Sequence, residues 1–408
     1  MKFSALFGLF VLLFSSPAWA VMSILGAAAD ATIPPPPPCL TFGFSVEAIS
    51  TLPIGQNDIR MIRVDRSGNT QTGYAITSQA TGYTVYAFDF KTMVVLGVNT
   101  VTPLGYRNAG RLQGDVGRTD GKLYLFHEVS TANPACPSNR CLVMSRWSAS
   151  TLENSLVDAT GSIIDNIDDA RESGNNFLVI VSRGSAPLVR EFRTYSKSSL
   201  IRIASGTQMA AGTTNGFGHV SRTLNGRMYA GSATLAVGNV WTFAQDSATA
   251  DNTATIGFAV GLLLGAMFPT DSGLTFFIFD SSQTGAIVAQ RSYITPPVTA
   301  AGPQPFDAVV DLGASFQGSF WDSVNRKVFA LRTTVAANGS VQRDTEGLTS
   351  AFNTEETFAC ASCGNSGGMD TGTQIVDYNQ TYARMYVGSN ESPARLTKIK
   401  VCATGGPP

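Results

Sequence analysis

The sequence predicts an all-β chain in which a unit of about 50 residues recurs seven times, each unit folding as a four-stranded antiparallel sheet. Three observations carry that prediction. An apolar strand returns behind a polar turn in SGNTQTGYAIT, RTDGKLYLFHE, ESGNNFLVIVS, TLNGRMYAGS, TDSGLTFFIFD, SVNRKVFALR and NQTYARMYVGS. Anchors near Gly73, Gly121, Gly174, Gly226, Gly273, Arg326 and Ala383 lie 48, 53, 52, 47, 53 and 57 residues apart. Finally, period-2 alternation rich in Val, Ile, Tyr and Phe, with Gly, Asn, Asp and Thr at the turns, dominates throughout, and no useful stretch of helical period appears.

Each unit can be filled in from its anchor. Upstream lies a first strand, in LQGDVGRT, NIDDARES, GFGHVSRT, LLGAMFPT and FQGSFWDS and, more degenerately, in MIRVDRS and TQIVDYN. Downstream comes a third, in GYTVYAFDF, CLVMSRWS, PLVREFRTY, GNVWTFAQ and GAIVAQRSY, and in several units a weaker fourth such as MVVLGVN or SLIRIAS. Seven four-stranded sheets in one chain pack radially as a β-propeller, which leaves only short edges. An open solenoid would have a shorter period and capping units. From about Leu40 to Val401 the pattern resembles seven-bladed propellers in general. The glycine-histidine and tryptophan-aspartate pairs of WD40 repeats, the paired glycines of kelch repeats and a complete sialidase-type aspartate box are absent.

The last unit supplies strands at Gln374 to Tyr378, Ala383 to Gly388 and Arg395 to Val401 and then lacks a fourth, while LTFGFSVEA at the other end of the chain belongs to no unit. Adding that orphan strand to the last sheet closes the ring. Cys402 then ends the third strand and Cys39 precedes the fourth, so a disulfide between them would replace the missing hairpin. Closing so long a loop is worth ~5 kcal/mol in the loop-entropy description.

The first residues, MKFSALFGLFVLLFSSPAWA, read as a secretory signal peptide over 1–20 cleaved after Ala20, too short in its apolar run to span a bilayer. Residues 21–38 form a tail ending in five prolines, a polyproline spacer of ~15 Å. The repeats occupy 39–402, and 403–408 are a short tail. The apolar run Ile256 to Phe268, with its three glycines, reads as a buried strand. With 28 basic and 29 acidic residues and no charge run, no footprint for nucleic acid or anionic lipid appears.

Six cysteines in a secreted chain predict three disulfides, Cys39 with Cys402, Cys136 with Cys141 and Cys360 with Cys363. Redox or zinc roles for Cys360-Ala-Ser-Cys363 lack the βαβ or ligand context they require. Turns after the first and third strands share one face of the ring, with the Cys39-Cys402 junction. The irregular insertions fall mostly on the other: Val129 to Arg140, the turn near Asn338, and the Gly-rich segment Thr349 to Thr373. Decorated loops on a rigid scaffold are where binding concentrates. Sequons at Asn338, Asn379 and Asn390 fall in predicted turns and are candidate glycosylation sites.

Catalytic candidates are few, since His127 and His219 are the only histidines. Aligning the first strands puts Ile62, Asp115, Asp168, His219, Ala266, Ser319 and Gln374 in one column, and Asp115, Asp168, His219 and Ser319 would be the acid, base and nucleophile set of an enzyme. Side chains of inner strands mostly face neighbouring blades, so polar contacts between blades are the commoner outcome. Gly114, Gly218, Gly265 and Gly318 beside the column fit close backbone approach. Asp165 to Asp169 lacks the spacing of a calcium loop and reads as a solvated turn. No metal or cofactor is expected.

The sequence reading is therefore a secreted, non-catalytic β-propeller acting as a binding or structural module at the cell surface or in an extracellular assembly. Its expected partners are an extracellular protein or glycan, or copies of itself through the N-terminal tail. The competing reading is an enzyme acting on extracellular carbohydrate or peptide from the long-loop face.

Overall fold

The computed structural model describes 28 strands between Gly43 and Cys402, with side chains chiefly at residues 47–206, 228–253 and 386–399. The signal segment, the proline tail, Cys39 and Cys363, Asn338 and Asn390 lie outside the described residues. The strands pair as seven separate four-stranded antiparallel sheets.

Strand β1 (Gly43–Thr51) stands apart from its chain neighbours. The first sheet is β2 (Ile59–Val64), β3 (Thr72–Gln79), β4 (Gly82–Asp89) and β5 (Val95–Val101). The second is β6 (Gln113–Val116), β7 (Leu123–Val129), β8 (Cys141–Ser148) and β9 (Thr151–Asp158). The third is β10 (Asn166–Ser173), β11 (Asn176–Arg183), β12 (Val189–Ser196) and β13 (Arg202–Gln208). The fourth is β14 (His219–Ser221), β15 (Arg227–Ala233), β16 (Val237–Ala244) and β17 (Asn252–Gly257). The fifth is β18 (Leu262–Thr270), β19 (Gly273–Asp280), β20 (Ala286–Ser292) and β21 (Val310–Asp311). The sixth is β22 (Ser315–Asp322), β23 (Lys327–Thr333), β24 (Gly339–Thr345) and β25 (Thr354–Cys360). The seventh joins β26 (Gln374–Asn379), β27 (Tyr382–Gly388) and β28 (Arg395–Cys402) to β1.

All seven anchor turns sit where the repeat puts them, between first and second strands. The first strands touch in cyclic order, β2 to β6, β10, β14, β18, β22 and β26, and β26 returns to β2. The orphan strand completes the last sheet: β1 runs antiparallel to β28 from Gly43 opposite Cys402 to Thr51 opposite Arg395. Two details differ from expectation. The run Ile256 to Phe268 is divided between the end of β17 and most of β18. Residues Thr354 to Cys360 of the Gly-rich segment form the outer strand β25, because the sixth sheet draws its fourth strand from that stretch.

The core lies between sheets, so the second strands with described burial, β3, β7 and β11, are buried on both faces and read as almost continuously apolar. Along β3, Tyr74 and Ile76 pack with Tyr83, Leu123, Leu125 and Trp147 against the second sheet. Ala75 turns the other way, toward Ile62, Tyr86, Phe88, Tyr386 and Leu396. Tyr124, Phe126, Phe177, Val179 and Tyr195 join the second sheet to the third. Leu178, Ile180, Phe192, Trp241 and Phe243 join the third to the fourth. The seam between the seventh and first sheets is also hydrogen-bonded, with Ile59 N donating to Ser389 O at 3.0 Å and Tyr386 Oη to Phe90 O at 2.5 Å.

Candidate functional site

Two of the four candidate catalytic residues have described side chains, and both are engaged in structural contacts, Asp168 within its sheet and Asp115 between sheets. Strand β10 carries a bulge between Ile167, opposite Val181, and Asp169, opposite Ile180. Asp168 is the extra residue. Its Oδ2 accepts Ser182 Oγ at 2.9 Å and Arg190 Nε at 2.6 Å, which ties β10, β11 and β12 across one face of the sheet. Both charged side chains are almost wholly buried. Such a pair is costly to break, since removing one charge leaves the other desolvated and uncompensated.

Asp115 serves three sheets. Its Oδ1 accepts Val116 N at 2.9 Å and its Oδ2 accepts Glu172 N of β10 at 3.4 Å. Arg63 of β2 comes within 4.0 Å while donating from Nε to Gly114 O at 2.8 Å. Gly114 is needed for close approach, because a Cβ there would stand 2.2 Å from Tyr124 O.

The expected column does not hold in register. Ile62 lies opposite Ala75, whereas Asp115, opposite Tyr124, is level with Arg63 when both are counted from their turns. Asp168 falls in its bulge, which sequence counting cannot see. His219 lies opposite Gly231 and Ser319 opposite Ala330 in their own sheets, their side chains outside the described residues. The solvated turn read into Asp165 to Asp169 is also corrected: from Asn166 onward it is β10, and Asp168 and Asp169 are buried. Asp169 faces Arg171 at 3.3 Å.

The turn face is equally committed. Glu172 accepts Arg118 N at 2.9 Å and Lys197 Nζ at 2.6 Å, and Lys197 also donates to Thr119 Oγ1 at 2.9 Å, clamping the second sheet to the third. Nearer the rim, Asp158 accepts Tyr195 Oη at 2.8 Å with Arg193 and Arg202 at 3.7 and 3.5 Å. Sequence reading missed these residues because a scattered charge looks like a solvated one. Their signal was scarcity, with only 14% charged residues in the chain.

The opposite face carries a built platform on the second sheet. Strand β6 stops short, and the connection from β5 takes its place along the end of β7: Tyr106 bridges Val129, and Arg107 N donates to Glu128 O at 3.1 Å. Ser130 N donates to Gly105 O at 2.8 Å, joining this loop to the β7–β8 insertion. Gly105 has φ +74°, and a Cβ would meet Ser130 Oγ at 2.9 Å, so only glycine suits the junction. Cys136 and Cys141 are disulfide-bonded and pack on Val129 and Val143. The two loops thus form one stapled unit that presents Leu104 (62% exposed), Pro134 and Ala135.

Beneath it lies a buried aromatic cluster. His127, 2% exposed, sits 5.2 Å from the Tyr83 ring and 5.8 Å from Tyr106, and neither ring nitrogen has a hydrogen-bond partner. Burial pushes its pKa down to about 3, so it is neutral. Burial raises the Tyr106 phenol, whose Oη lies 3.0 Å from Ser78 Oγ. This imidazole is enclosed and does not face a substrate. Among the described residues, no group of three or more His, Cys, Asp or Glu is arranged to hold a metal ion, and no helix is long and apolar enough to cross a membrane.

No protein-family model matches the chain, and none of the curated proteins matches it in sequence. Solved structures do resemble it. The WD40 domain of Toxoplasma gondii coronin is 9% identical, with a TM-score of 0.52 over 90% of this chain and 89% of that one. A chain of the mitotic checkpoint complex is 9% identical, with a TM-score of 0.51 over 90% of this chain and 97% of that one. At such identity the resemblance speaks of architecture alone. Together with the seven antiparallel sheets in cyclic contact, it shows that the chain has a β-propeller fold.

Proposed function

We propose that the protein is a secreted, non-catalytic β-propeller that binds an extracellular protein or glycan through the stapled loops of its second blade. The observation that carries this reading is the contrast between its two faces of polar chemistry. Asp115 and Asp168 spend their carboxylates on inter-strand and inter-blade contacts. The Gly105-Ser130 junction and the Cys136-Cys141 bond, in contrast, anchor an exposed apolar tip to the second blade. Rigid loops lose little entropy on binding, which favours recognition. The signal segment and six cysteines support the secreted setting.

The test titrates labelled mature chain, residues 21–408, onto a glycan array and onto cells of its own source. Saturable retention, weakened in Leu104→Lys and unchanged in Asp168→Asn, is expected. Turnover of a glycan or peptide that disappears in Asp168→Asn and His219→Ala would overturn the non-catalytic reading. Retention indifferent to Leu104→Lys would remove the loop face.

A further inference from the structure

We propose that β5, the outer strand of the first blade, is a self-association edge: two copies of the chain pair β5 to β5 antiparallel about Val98, joining two four-stranded blades into one eight-stranded sheet. β5 pairs with β4 alone, so among the described residues no strand lies beside its outward backbone groups. Such an edge templates another strand unless it is guarded by charge, proline or brevity. β5 has seven residues with neither charge nor proline, and its one bulge, at Leu96, lies near its start and leaves Gly97 to Val101 in regular register with β4. From Thr92 to Thr102 the chain carries no charge and no proline.

The outward side chains add to this. Val94, Leu96 and Val98 are 59, 55 and 48% exposed, and Val95 38%. Three other outer strands are guarded: β1 carries Glu47, β9 Glu153 and β13 Arg202. Glu153 is moreover held by Lys122 and Arg146 at 2.6 and 2.8 Å.

The occupant follows from complementarity. An antiparallel pair centred on Val98 sets Gly97 opposite Asn99 and brings Val95 and Leu96, on either side of the bulge, against Thr100 and Val101 of the other copy, so every cross-strand contact is neutral and none is repulsive. A self-pair of β1 centred on Glu47 would instead place two carboxylates together. A two-fold contact uses the same patch twice, which a strand nearly symmetric in its apolar ends satisfies. The first blade is well placed to bear this, being pinned to the seventh by Tyr386 Oη to Phe90 O and to the second by the aromatic cluster around Trp147.

The experiment is sedimentation of the mature chain, residues 21–408, across a concentration series to the high micromolar range, with wild type, Val98→Lys, Leu156→Lys and a deletion of Val21 to Pro38. A monomer-dimer equilibrium is expected, weakened at least about tenfold by Val98→Lys because two cations would meet across the axis. Leu156→Lys on β9 and the tail deletion should leave it unchanged. Because Val98 is exposed, its substitution should preserve the melting temperature, and the melt is recorded beside each run. A second readout is Val98→Cys, which lies on the axis and should cross-link to itself under mild oxidation, while Thr92→Cys should not. A wild type that stays monomeric throughout would overturn the proposal, as would a dimer that survives Val98→Lys or is lost with the tail.

Discussion

Acid should loosen the joint between the first and second blades through His127. Its imidazole is enclosed by Tyr83 and Tyr106 with no hydrogen-bond partner, and burial holds its pKa at about 3, against about 6.5 in an unfolded chain. As pH falls below 6.5, the unfolded chain gains a proton that the folded chain refuses. Stability is therefore complete above 6.5 and is lost progressively down to about pH 3, where the loss levels off. At about 1.4 kcal/mol per pH unit, this removes about 2 kcal/mol between pH 7 and pH 5. Phe in place of His127 fits among the same rings and cannot titrate. Urea melts of wild type and His127→Phe at a series of pH values give the difference directly. Carboxylates common to both proteins, including Glu128 with its partner Arg107, cancel, as does His219. The variant should be at least as stable at pH 7, since two unpartnered ring nitrogens are gone, and its advantage should grow by about 2 kcal/mol at pH 5. An advantage that stays constant from pH 7 to pH 5 would refute the reasoning.

Other expectations follow from the same contacts. Asp168→Ala should cost about 3 to 5 kcal/mol in a denaturant melt, because the buried Arg190 would lose the carboxylate it meets at 2.6 Å, and Asp168→Asn should cost less. Tyr386→Phe removes the bond to Phe90 O at the ring seam and should cost about 1 kcal/mol by thermal melt. Gly105→Ala forces a side chain into a left-handed position and should cost about 1 to 2 kcal/mol while weakening cell-surface retention. Peptide mapping without reduction should recover Cys39 joined to Cys402, and Cys39 joined to any other cysteine would remove the proposed clasp.

Much of the architecture was legible because it is written locally. Period-2 alternation, turn residues and a repeat near 50 residues depend on neighbours a few positions apart, so all seven anchor turns and the closing strand could be placed by counting. Counting failed where one strand slips against another. Strand pairing puts Asp115 level with Arg63, the bulge at Asp168 moved that residue off the column, and nothing in the local pattern announces an extra residue. The same holds for the Gly-rich stretch that became β25, whose strand character comes from pairing with β24. Charge roles were hidden for a related reason. Arg190, Lys197, Glu172 and His127 take their meaning from partners or enclosure supplied by segments far away in sequence, and a buried charge differs from a solvated one only in what surrounds it. The chain alone determined how many sheets there are and how the ring ends meet. Tertiary packing decided which polar groups are spent inside the ring, because desolvation and pairing exist only once the blades are brought together.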